Sequence, residues 1–494
     1  MPRCVSAAVA ASLVAIPLVV QVPAAHAADG VRTVRVRSFD GVRLVTNFFP
    51  AAGLRPGHRA PTIMVGHGWG GRGETDPDAG QVGLLRKAGY NVVTWNARGF
   101  GSGGRANLNH HRIEGRDSVA LINWIARQPE ALLDRPGDPR LGMAGSSYGG
   151  GIQLVTAGVD RRVDAIVPGF TWNSVTRSLY PEEAFRSGWA GLLCLSGHAQ
   201  GNRVAPKLSQ GCAAGLASGR IPADVQRWFA ARDLTAQVKK VRIPTLLIQG
   251  TIDTLFPLRQ AIANHRLLKA GGAPVKMVWY CGGHGECTTA TGPRGYLERL
   301  TVQWFDRHLK RDRSVSTGPA FEYIDQHGTF RGGSYPLPAR KPVKTTAPRA
   351  RKLLINDFNK SGERTAAGKA KNGLTFRLRS FTGMSVGSPR LTFTYKGRAN
   401  HAKTFVYAQL VDLATGKVLG NQATPIPIVL DGRTRTVTRE LEAIAWKFTP
   451  GSRIALQIIP NTALFYRQRA LGTVTISKTS ITLPRVHPGK VTAR

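Results

Sequence analysis

Two hydrophobic patterns alternate along residues 28–331. Short apolar runs with the composition of buried β-strands are followed by stretches whose apolar residues recur at helical spacing. This alternation favours a mostly parallel sheet covered by helices on both faces. The predicted strands are 31–38 and 44–49 (a hairpin through Asp40-Gly41), 62–65, 92–95, 141–144, 165–167, 245–248 and 275–279, and the predicted helices are 82–88, 118–127, 151–157, 258–268 and 295–309.

The rest of the chain departs from this pattern. Residues 170–238 are helical and irregular, and we expect a cap over the strand ends; a structural excursion away from the substrate is the alternative. Residues 332–351, rich in Pro, Lys and Arg, predict an extended linker. Residues 352–494 favour an antiparallel, jelly-roll-like β-sandwich, with strands at 374–379, 390–395, 404–410, 418–419, 434–441, 454–459 and 473–476.

The first residues have the layout of a secretory signal peptide. Arg3 precedes an apolar run over 5–22, and Ala25-His26-Ala27 is a small-x-small cleavage site. We expect residues 1–27 to be removed and the mature protein to be secreted or associated with the cell envelope. A retained membrane anchor is the alternative, but the short apolar run argues against it.

Cysteine content agrees with an exported protein. Removal of the signal peptide takes Cys4 away and leaves Cys194, Cys212, Cys281 and Cys287. An even number in an exported chain predicts two disulfides, and we favour the local pairs 194–212 and 281–287. Four buried free thiols are the alternative. The Cys and His residues do not have the spacing of metal ligands, so we expect no metal. We expect no organic cofactor either.

The chain is strongly basic. It has 68 Lys and Arg residues against 29 Asp and Glu, a net charge of +39. Such a charge attracts anionic surfaces. The basic residues are spread widely, however, and no zinc-finger, helix-turn-helix or RNP pattern accompanies them. We therefore expect attraction to an anionic cell envelope rather than specific binding of nucleic acid.

Residues 145–149 read Gly-Ser-Ser-Tyr-Gly, a G-x-S-x-G motif between a predicted strand and a predicted helix. This order is that of a nucleophile elbow, which exposes the central serine, Ser147. A serine hydroxyl is a poor nucleophile and needs an imidazole to accept its proton. Asp253 and His284 each follow a later predicted strand. Because Ser, Asp, His is the chain order of α/β-hydrolases, we predict that these three residues form the catalytic triad.

Each member of this set has an alternative role or an alternative candidate. Ser147 could cap the following helix, and Asp253 could be a turn residue. Two other carboxylates, Asp233 and Asp306, are alternative candidates but do not follow a predicted strand. Two other histidines, His265 and His308, lie within predicted helices.

An oxyanion hole is predicted beside the serine. The strand 62–65 leads into Gly66-His67-Gly68-Trp69-Gly70. Backbone N–H groups of the residue after the nucleophile and of this early loop supply the donors in α/β-hydrolases. We expect the N–H groups of Tyr148 and Trp69 to do so, and we expect His67 to be structural.

Three segments resemble the X-Pro dipeptidyl-peptidase and cocaine-esterase-type serine hydrolases: 38–44, 96–102 and 145–150. Residues 321–325 and the β-rich tail are similar to the C-terminal jelly-roll domain of that family. The resemblance implies an α/β-hydrolase core, a helical cap and a β-sandwich partner, with Ser147, Asp253 and His284 as the triad.

The substrate is less tightly constrained. Members of that family often supply a tyrosine hydroxyl from the early loop, where this chain has Trp69. A dipeptidyl-peptidase must bind a free α-amino group, for which Glu182 and Glu183 of the cap are candidates; exposed surface charges are the alternative. Trp172 is a further candidate for substrate contact. We predict a secreted serine hydrolase that cleaves an ester or amide through an acyl-enzyme and is X-Pro dipeptidyl-peptidase-like. A carboxylesterase or acylase, and a non-catalytic envelope-binding protein, are the alternatives.

Overall fold

A computed structural model describes residues 30–357 and 368–493. The predicted signal peptide lies outside the described residues. The α/β domain comprises residues 30–333, and the cap comprises residues 170–238 within it. The C-terminal domain comprises residues 339–493.

The α/β domain alternates strands and helices, as predicted. Its strands are β1 Arg32–Arg37, β2 Arg43–Phe49, β3 Thr62–Gly66, β4 Asn91–Trp95, β5 Leu133–Arg135, β6 Asp138–Pro139, β7 Leu141–Ser146, β8 Val163–Gly169, β9 Thr245–Gly250, β10 Val275–Tyr280, β11 Phe321–Ile324 and β12 Phe330–Gly333. Its helices are α1 Gly80–Lys87, α2 Glu114–Ile125, α3 Tyr148–Val159, α4 Val175–Leu179, α5 Ser187–His198, α6 Pro206–Ser218, α7 Ala223–Ala230, α8 Thr235–Val238, α9 Leu258–Ala270 and α10 Tyr296–His308.

The central sheet has the order β1-β2-β4-β3-β7-β8-β9-β10-β11-β12. From β4 to β11 neighbouring strands run parallel, whereas β1, β2 and β12 are antiparallel to their neighbours. Strands β4 and β9 are buried along their whole length, as expected for central strands of a parallel sheet covered on both faces. One face packs against α2, α3 and α9, and the other against α1 and α10. The predicted α/β class is confirmed.

The C-terminal domain is antiparallel throughout its described strand pairs. Its long strands pack apolar side chains such as Leu391, Phe393 and Ile476 into a separate core. The strands are β13 Ala339–Ala347, β14 Arg351–Ile355, β15 Leu374–Arg377, β16 Gly383–Gly387, β17 Arg390–Asp412, β18 Thr424–Asp431, β19 Arg435–Glu440, β20 Ile444–Phe448, β21 Ile454–Ile459, β22 Gly472–Val486 and β23 Lys490–Ala493.

The predicted linker at 332–351 is wrong. Strand β13 occupies much of it and pairs antiparallel with β22. The register of this pair shifts between Arg340 and Val343, on either side of Pro342, which has no N–H to donate to a ladder. The Lys and Arg side chains of β13 are exposed at this edge of the sheet, so the composition resembled that of a linker.

Two further segments lie in a different sheet from the one expected. Phe321–Ile324, assigned by resemblance to the C-terminal domain, is β11 and runs parallel to β10 in the central sheet. The last strand, β23, leaves the C-terminal domain and extends the central sheet beyond β12. The last strand of the chain therefore forms an edge of the central sheet.

Candidate active site

Ser147 lies on a sharp turn between β7 and α3. Its backbone has φ 56° and ψ −118°, a conformation that strains a residue with a side chain. Glycines allow the surrounding backbones to approach: a methyl group on Gly145 or Gly149 would overlap the carbonyl oxygen of Gly66 in β3. The turn therefore presents the Ser147 side chain at the carboxyl end of the sheet, the geometry of a nucleophile elbow.

Ser147, His284 and Asp253 form a hydrogen-bonded row. The Oγ of Ser147 lies 2.8 Å from Nε2 of His284, and Nδ1 of His284 lies 2.8 Å from Oδ2 of Asp253. The side chain of Asp253 is completely buried. Its other oxygen, Oδ1, accepts the N–H groups of Leu255 at 2.9 Å and Phe256 at 2.7 Å. A carboxylate fixed in this way can hold an imidazole in one tautomer and orientation.

Aromatic rings surround the imidazole of His284. The rings of Phe170, Trp189 and Phe256 meet it edge to face, with centroids 5.1, 5.8 and 5.1 Å away. The side chain of His284 is 14% exposed. These contacts limit rotation of the ring and keep most water away from it, and sequence reasoning missed them because the three aromatic residues come from separate loops and a helix.

The rival residues take other positions. Asp233 accepts a hydrogen bond from Ser174 and Asp306 one from Tyr90, while His265 packs against Tyr335 and His308 against Trp304. None of these four carboxylate and imidazole groups belongs to the row around Ser147.

The loop after β3 is anchored by His67. Its Nε2 accepts the N–H of Ala97 at 3.0 Å, and its Nδ1–H donates to the carbonyl of Gly68 at 2.7 Å. Burial lowers the pKa of His67 to about 4, so the ring is neutral near pH 7. The indole of Trp69 donates to the carbonyl of Leu193 at 2.9 Å. These bonds fix the loop beside Ser147.

Tyr148 is the first residue of α3. Its N–H lies in the first turn of the helix, where backbone donors have no acceptor within the helix. The Tyr148 ring is buried and packs edge to face against Trp69, with centroids 5.2 Å apart. The early loop and the start of α3 are thus held together by side-chain packing.

The side chain of Glu114 contacts the hydroxyl of Tyr148. This carboxyl is buried at the start of α2, accepts the N–H groups of Asn107 and His110, and lies 3.4 Å from the Tyr148 hydroxyl. Burial raises the pKa of Glu114 to about 7. Sequence reasoning missed this residue, because a glutamate at the start of a helix is ordinarily exposed.

A cavity runs from Ser147 into the cap. Trp172, a predicted substrate contact, is buried in its wall. Among the described residues, no charged side chain lines it. The apolar wall includes Trp69, Val175, Leu179, Phe185, Leu193, Leu208 and Phe229.

Glu182 and Glu183, the predicted anchors for an amino group, lie outside this cavity. Both are exposed, and Glu182 pairs with Arg439 of the C-terminal domain at 3.1 Å. Neither carboxylate is therefore placed to bind a group inside this cavity. Their short helical turn, Pro181–Glu183, places them on the outer surface of the cap.

Four cysteines among the described residues lie in two local pairs at disulfide distance. The Cα atoms of Cys194 and Cys212 are 5.9 Å apart, and this pair joins α5 to α6 in the cavity wall. The Cα atoms of Cys281 and Cys287 are 5.5 Å apart, and this pair brackets His284.

The sequence and fold have known relatives. Residues 40–286, half of the chain, match the model of the X-Pro dipeptidyl-peptidase (S15) family, and the chain belongs to this family. It is therefore a hydrolase by family. No curated protein matches the sequence.

Solved structures share the fold over nearly the whole chain. An α-amino acid ester hydrolase is 15% identical with a TM-score of 0.71, covering 95% of this chain and 100% of that one. A CocE/NonD-family hydrolase from Staphylococcus aureus is 15% identical with a TM-score of 0.66, covering 92% and 93%. An aminopeptidase from a marine sediment archaeon of the Thaumarchaeota is 13% identical with a TM-score of 0.66, covering 92% and 96%. At these identities the likeness establishes the fold alone.

Across residues 30–357 and 368–493, no helix has the length and apolar character needed to cross a bilayer.

Proposed function

We propose that this protein is a serine hydrolase that cleaves an ester or amide through an acyl-enzyme on Ser147. The hydrogen-bonded row of Ser147, His284 and Asp253 is the observation that carries the proposal. His284 accepts the hydroxyl proton as Oγ attacks the carbonyl carbon, and Asp253 stabilises the resulting imidazolium. His284 then gives this proton to the leaving group as the bond to it breaks. A water molecule, deprotonated by His284, hydrolyses the acyl-enzyme and regenerates Ser147.

The oxyanion is stabilised by two backbone N–H groups, those of Tyr148 and Trp69. The position of the Tyr148 N–H in the first turn of α3, where backbone donors have no acceptor within the helix, and the anchored loop after β3 support this assignment. Loss of one such donor in a serine hydrolase costs on the order of 3 kcal/mol of transition-state stabilisation. Glu114 and His67 support the two donors without touching the substrate.

The preferred substrate is an ester or amide of an uncharged, apolar acyl group. The cavity beside Ser147 supports this choice, because its lining is apolar and no charged side chain lines it among the described residues. Burying an unpaired ammonium group there would be costly. A carboxylesterase or acylase therefore fits better than a dipeptidyl-peptidase, which must hold a free amino group.

A substrate panel separates these activities. We expect p-nitrophenyl octanoate to be hydrolysed with a higher kcat/KM than p-nitrophenyl acetate, and Ala-Pro-p-nitroanilide to be a poor substrate. Preferential hydrolysis of the dipeptide anilide would support the X-Pro dipeptidyl-peptidase alternative. A folded protein that hydrolyses none of these and does not react with a fluorophosphonate would support the non-catalytic alternative.

We further propose that the protein is exported and associates with an anionic envelope surface. The signal-like residues 1–27, two cysteine pairs at disulfide distance and a net charge of +39 support this proposal. N-terminal sequencing of exported protein should begin at Ala28. Retention on acidic envelope polymers should fall as salt is raised, since exposed charges are screened; retention that salt does not change would contradict it.

A further inference from the structure

Asp253 lies on an irregular loop between β9 and α9, and the position of its carboxylate depends on that loop. Its Oδ1 accepts N–H groups from the same loop, which orients the side chain but does not attach the loop to the rest of the molecule. The loop backbone is bonded to the central sheet near its two ends, at the Thr251 N–H and the Phe256 carbonyl.

Two consecutive carbonyl groups of this loop accept hydrogen bonds from distant side chains. The Nε2–H of Gln422 donates to the carbonyl of Asp253 at 2.7 Å. The Nη1–H of Arg186 donates to the carbonyl of Thr254 at 2.5 Å. Gln422 is 6% exposed and Arg186 only 1%, so little water competes for either bond.

The two donors belong to different parts of the chain that contact each other. Gln422 lies in the C-terminal domain and Arg186 in the cap. The Arg186 guanidinium lies over the ring of Phe465 of the C-terminal domain, 4.7 Å from its centroid. The Tyr466 N–H donates to the carbonyl of Phe185 at 2.7 Å. The cap and the C-terminal domain therefore hold the Asp253 loop from two sides.

The segment of the C-terminal domain before Gln422 also reaches the His284 loop. Lys417 Nζ donates to the carbonyl of Thr288 at 3.2 Å, one residue beyond the Cys281–Cys287 pair. Gly420 lies so close to the carbonyl of Thr251 that a methyl group there would come within 2.9 Å. One segment of the C-terminal domain thus contacts the loops of both Asp253 and His284.

The side chain of Gln422 is buried where it meets the Asp253 loop. Within the described residues its buried Oε1 has no hydrogen-bond partner, and an unpaired buried acceptor is destabilising. Only the donor half of the amide is used. The bond to the Asp253 carbonyl is therefore the contact that this buried amide makes with the loop.

We propose that Gln422 is a positioning residue for the Asp253 carboxylate, and that the C-terminal domain thereby contributes to the reactivity of Ser147. The inference rests on the proposed function, because it assigns to Asp253 the role of orienting His284. Gln422 contacts neither His284 nor Ser147, so it acts through the backbone of Asp253.

The test compares Gln422→Met, Gln422→Glu and a control, Arg469→Gln, in the full-length protein. Arg469 also joins the C-terminal domain to the cap, through the carbonyl of Ser218 at 3.0 Å, but at an exposed site. The measurements are kcat and KM on p-nitrophenyl octanoate, the rate of fluorophosphonate labelling and the Tm.

Gln422→Met should lower kcat and the labelling rate at least about tenfold, while KM stays within about twofold. Its Tm should change by no more than about 3 °C. Removal of the unpaired Oε1 should stabilise the variant, and this gain should offset the cost of leaving the Asp253 carbonyl unpaired. Gln422→Glu can donate only when its carboxyl is protonated, so its activity relative to the wild type should rise as pH is lowered. Arg469→Gln should retain wild-type kcat.

Three results would overturn the proposal. The first is a kcat of Gln422→Met within twofold of wild type, and the second is an activity of Gln422→Glu, relative to the wild type, that pH does not change. The third is an equal loss of kcat in Gln422→Met and Arg469→Gln. Failure of the proposed function is distinguishable, because the wild-type protein would then show no Ser147-dependent labelling at all.

Discussion

Gly149, at the start of α3, lies directly against Gly66, the last residue of β3. A methyl group on Gly149 would overlap the Gly66 carbonyl oxygen. The serine turn and the loop that carries Trp69 are therefore packed backbone to backbone, and neither can shift without the other.

Gly149→Ala tests this packing. The added methyl group should destabilise the protein by about 1–3 kcal/mol and displace the loop after β3. We expect kcat/KM on p-nitrophenyl esters to fall at least about tenfold, because oxyanion donors act only when correctly placed. Gly451→Ala, at a glycine with no atoms within 4 Å of the added carbon, is the matched control and should keep full activity.

Val175→Phe tests the role of the cap cavity. Val175 is buried in the cavity wall, and a larger side chain there should shorten the space for an acyl chain. Each buried CH₂ group contributes about 0.8 kcal/mol, so the octanoate-to-acetate ratio of kcat/KM should fall at least about tenfold. Leu195→Ala is the control. It shortens a side chain that is 70% exposed on the outside of the same cap, so the octanoate-to-acetate ratio should stay at the wild-type value. An unchanged ratio in Val175→Phe would place the acyl chain elsewhere.

The two cysteine pairs should have different effects on function. Serine substitution of Cys281 and Cys287 should cost about 2 kcal/mol of unfolding free energy and lower kcat more than it raises KM, since this pair restricts the His284 loop. Substitution of Cys194 and Cys212 should cost about 3 kcal/mol and mainly change the preference for acyl-chain length. The same kinetic change in both double variants would argue against these separate roles.

His67 should make the protein less stable in acid. Because burial holds its pKa at about 4, below the ordinary value, the unfolded chain binds a proton between about pH 6.5 and 4 that the folded protein does not bind. The unfolding free energy should therefore fall with pH through this window, and His67 should account for about 2 kcal/mol of the loss by pH 5. Urea unfolding at pH 7.5 and 5 should show a smaller loss in His67→Asn, whereas exposed His58→Asn should behave as the wild type.

The fold class was predictable because its elements differ in period and burial. Strand β9 is buried on both faces and carries the short apolar run 246–248, while α9 repeats its apolar residues at helical spacing. Strand β13 was not predictable, because it lies at an edge and carries exposed Lys and Arg. The tail strand β23 joins a sheet formed by residues far away in the sequence, and no local pattern encodes that pairing.

The candidate site was predictable only as far as chain order determines it. Ser147, Asp253 and His284 each follow a strand of a parallel sheet, so their loops meet at one edge. The contacts that hold them were not predictable: Glu114 and Gln422 are polar residues whose burial depends on tertiary packing. Glu182 and Glu183 were proposed because they are carboxylates of the cap, and sequence position within the cap does not tell which residues face the cavity.

The most direct measurement of the central claim is fluorophosphonate labelling followed by peptide mass mapping. Folded wild-type protein should gain one phosphonyl group, located on Ser147, and should lose ester hydrolysis in proportion to labelling. Ser147→Ala should remain folded and unlabelled. Absence of labelling in folded wild-type protein, or labelling that persists in Ser147→Ala, would contradict the assignment of Ser147 as the nucleophile.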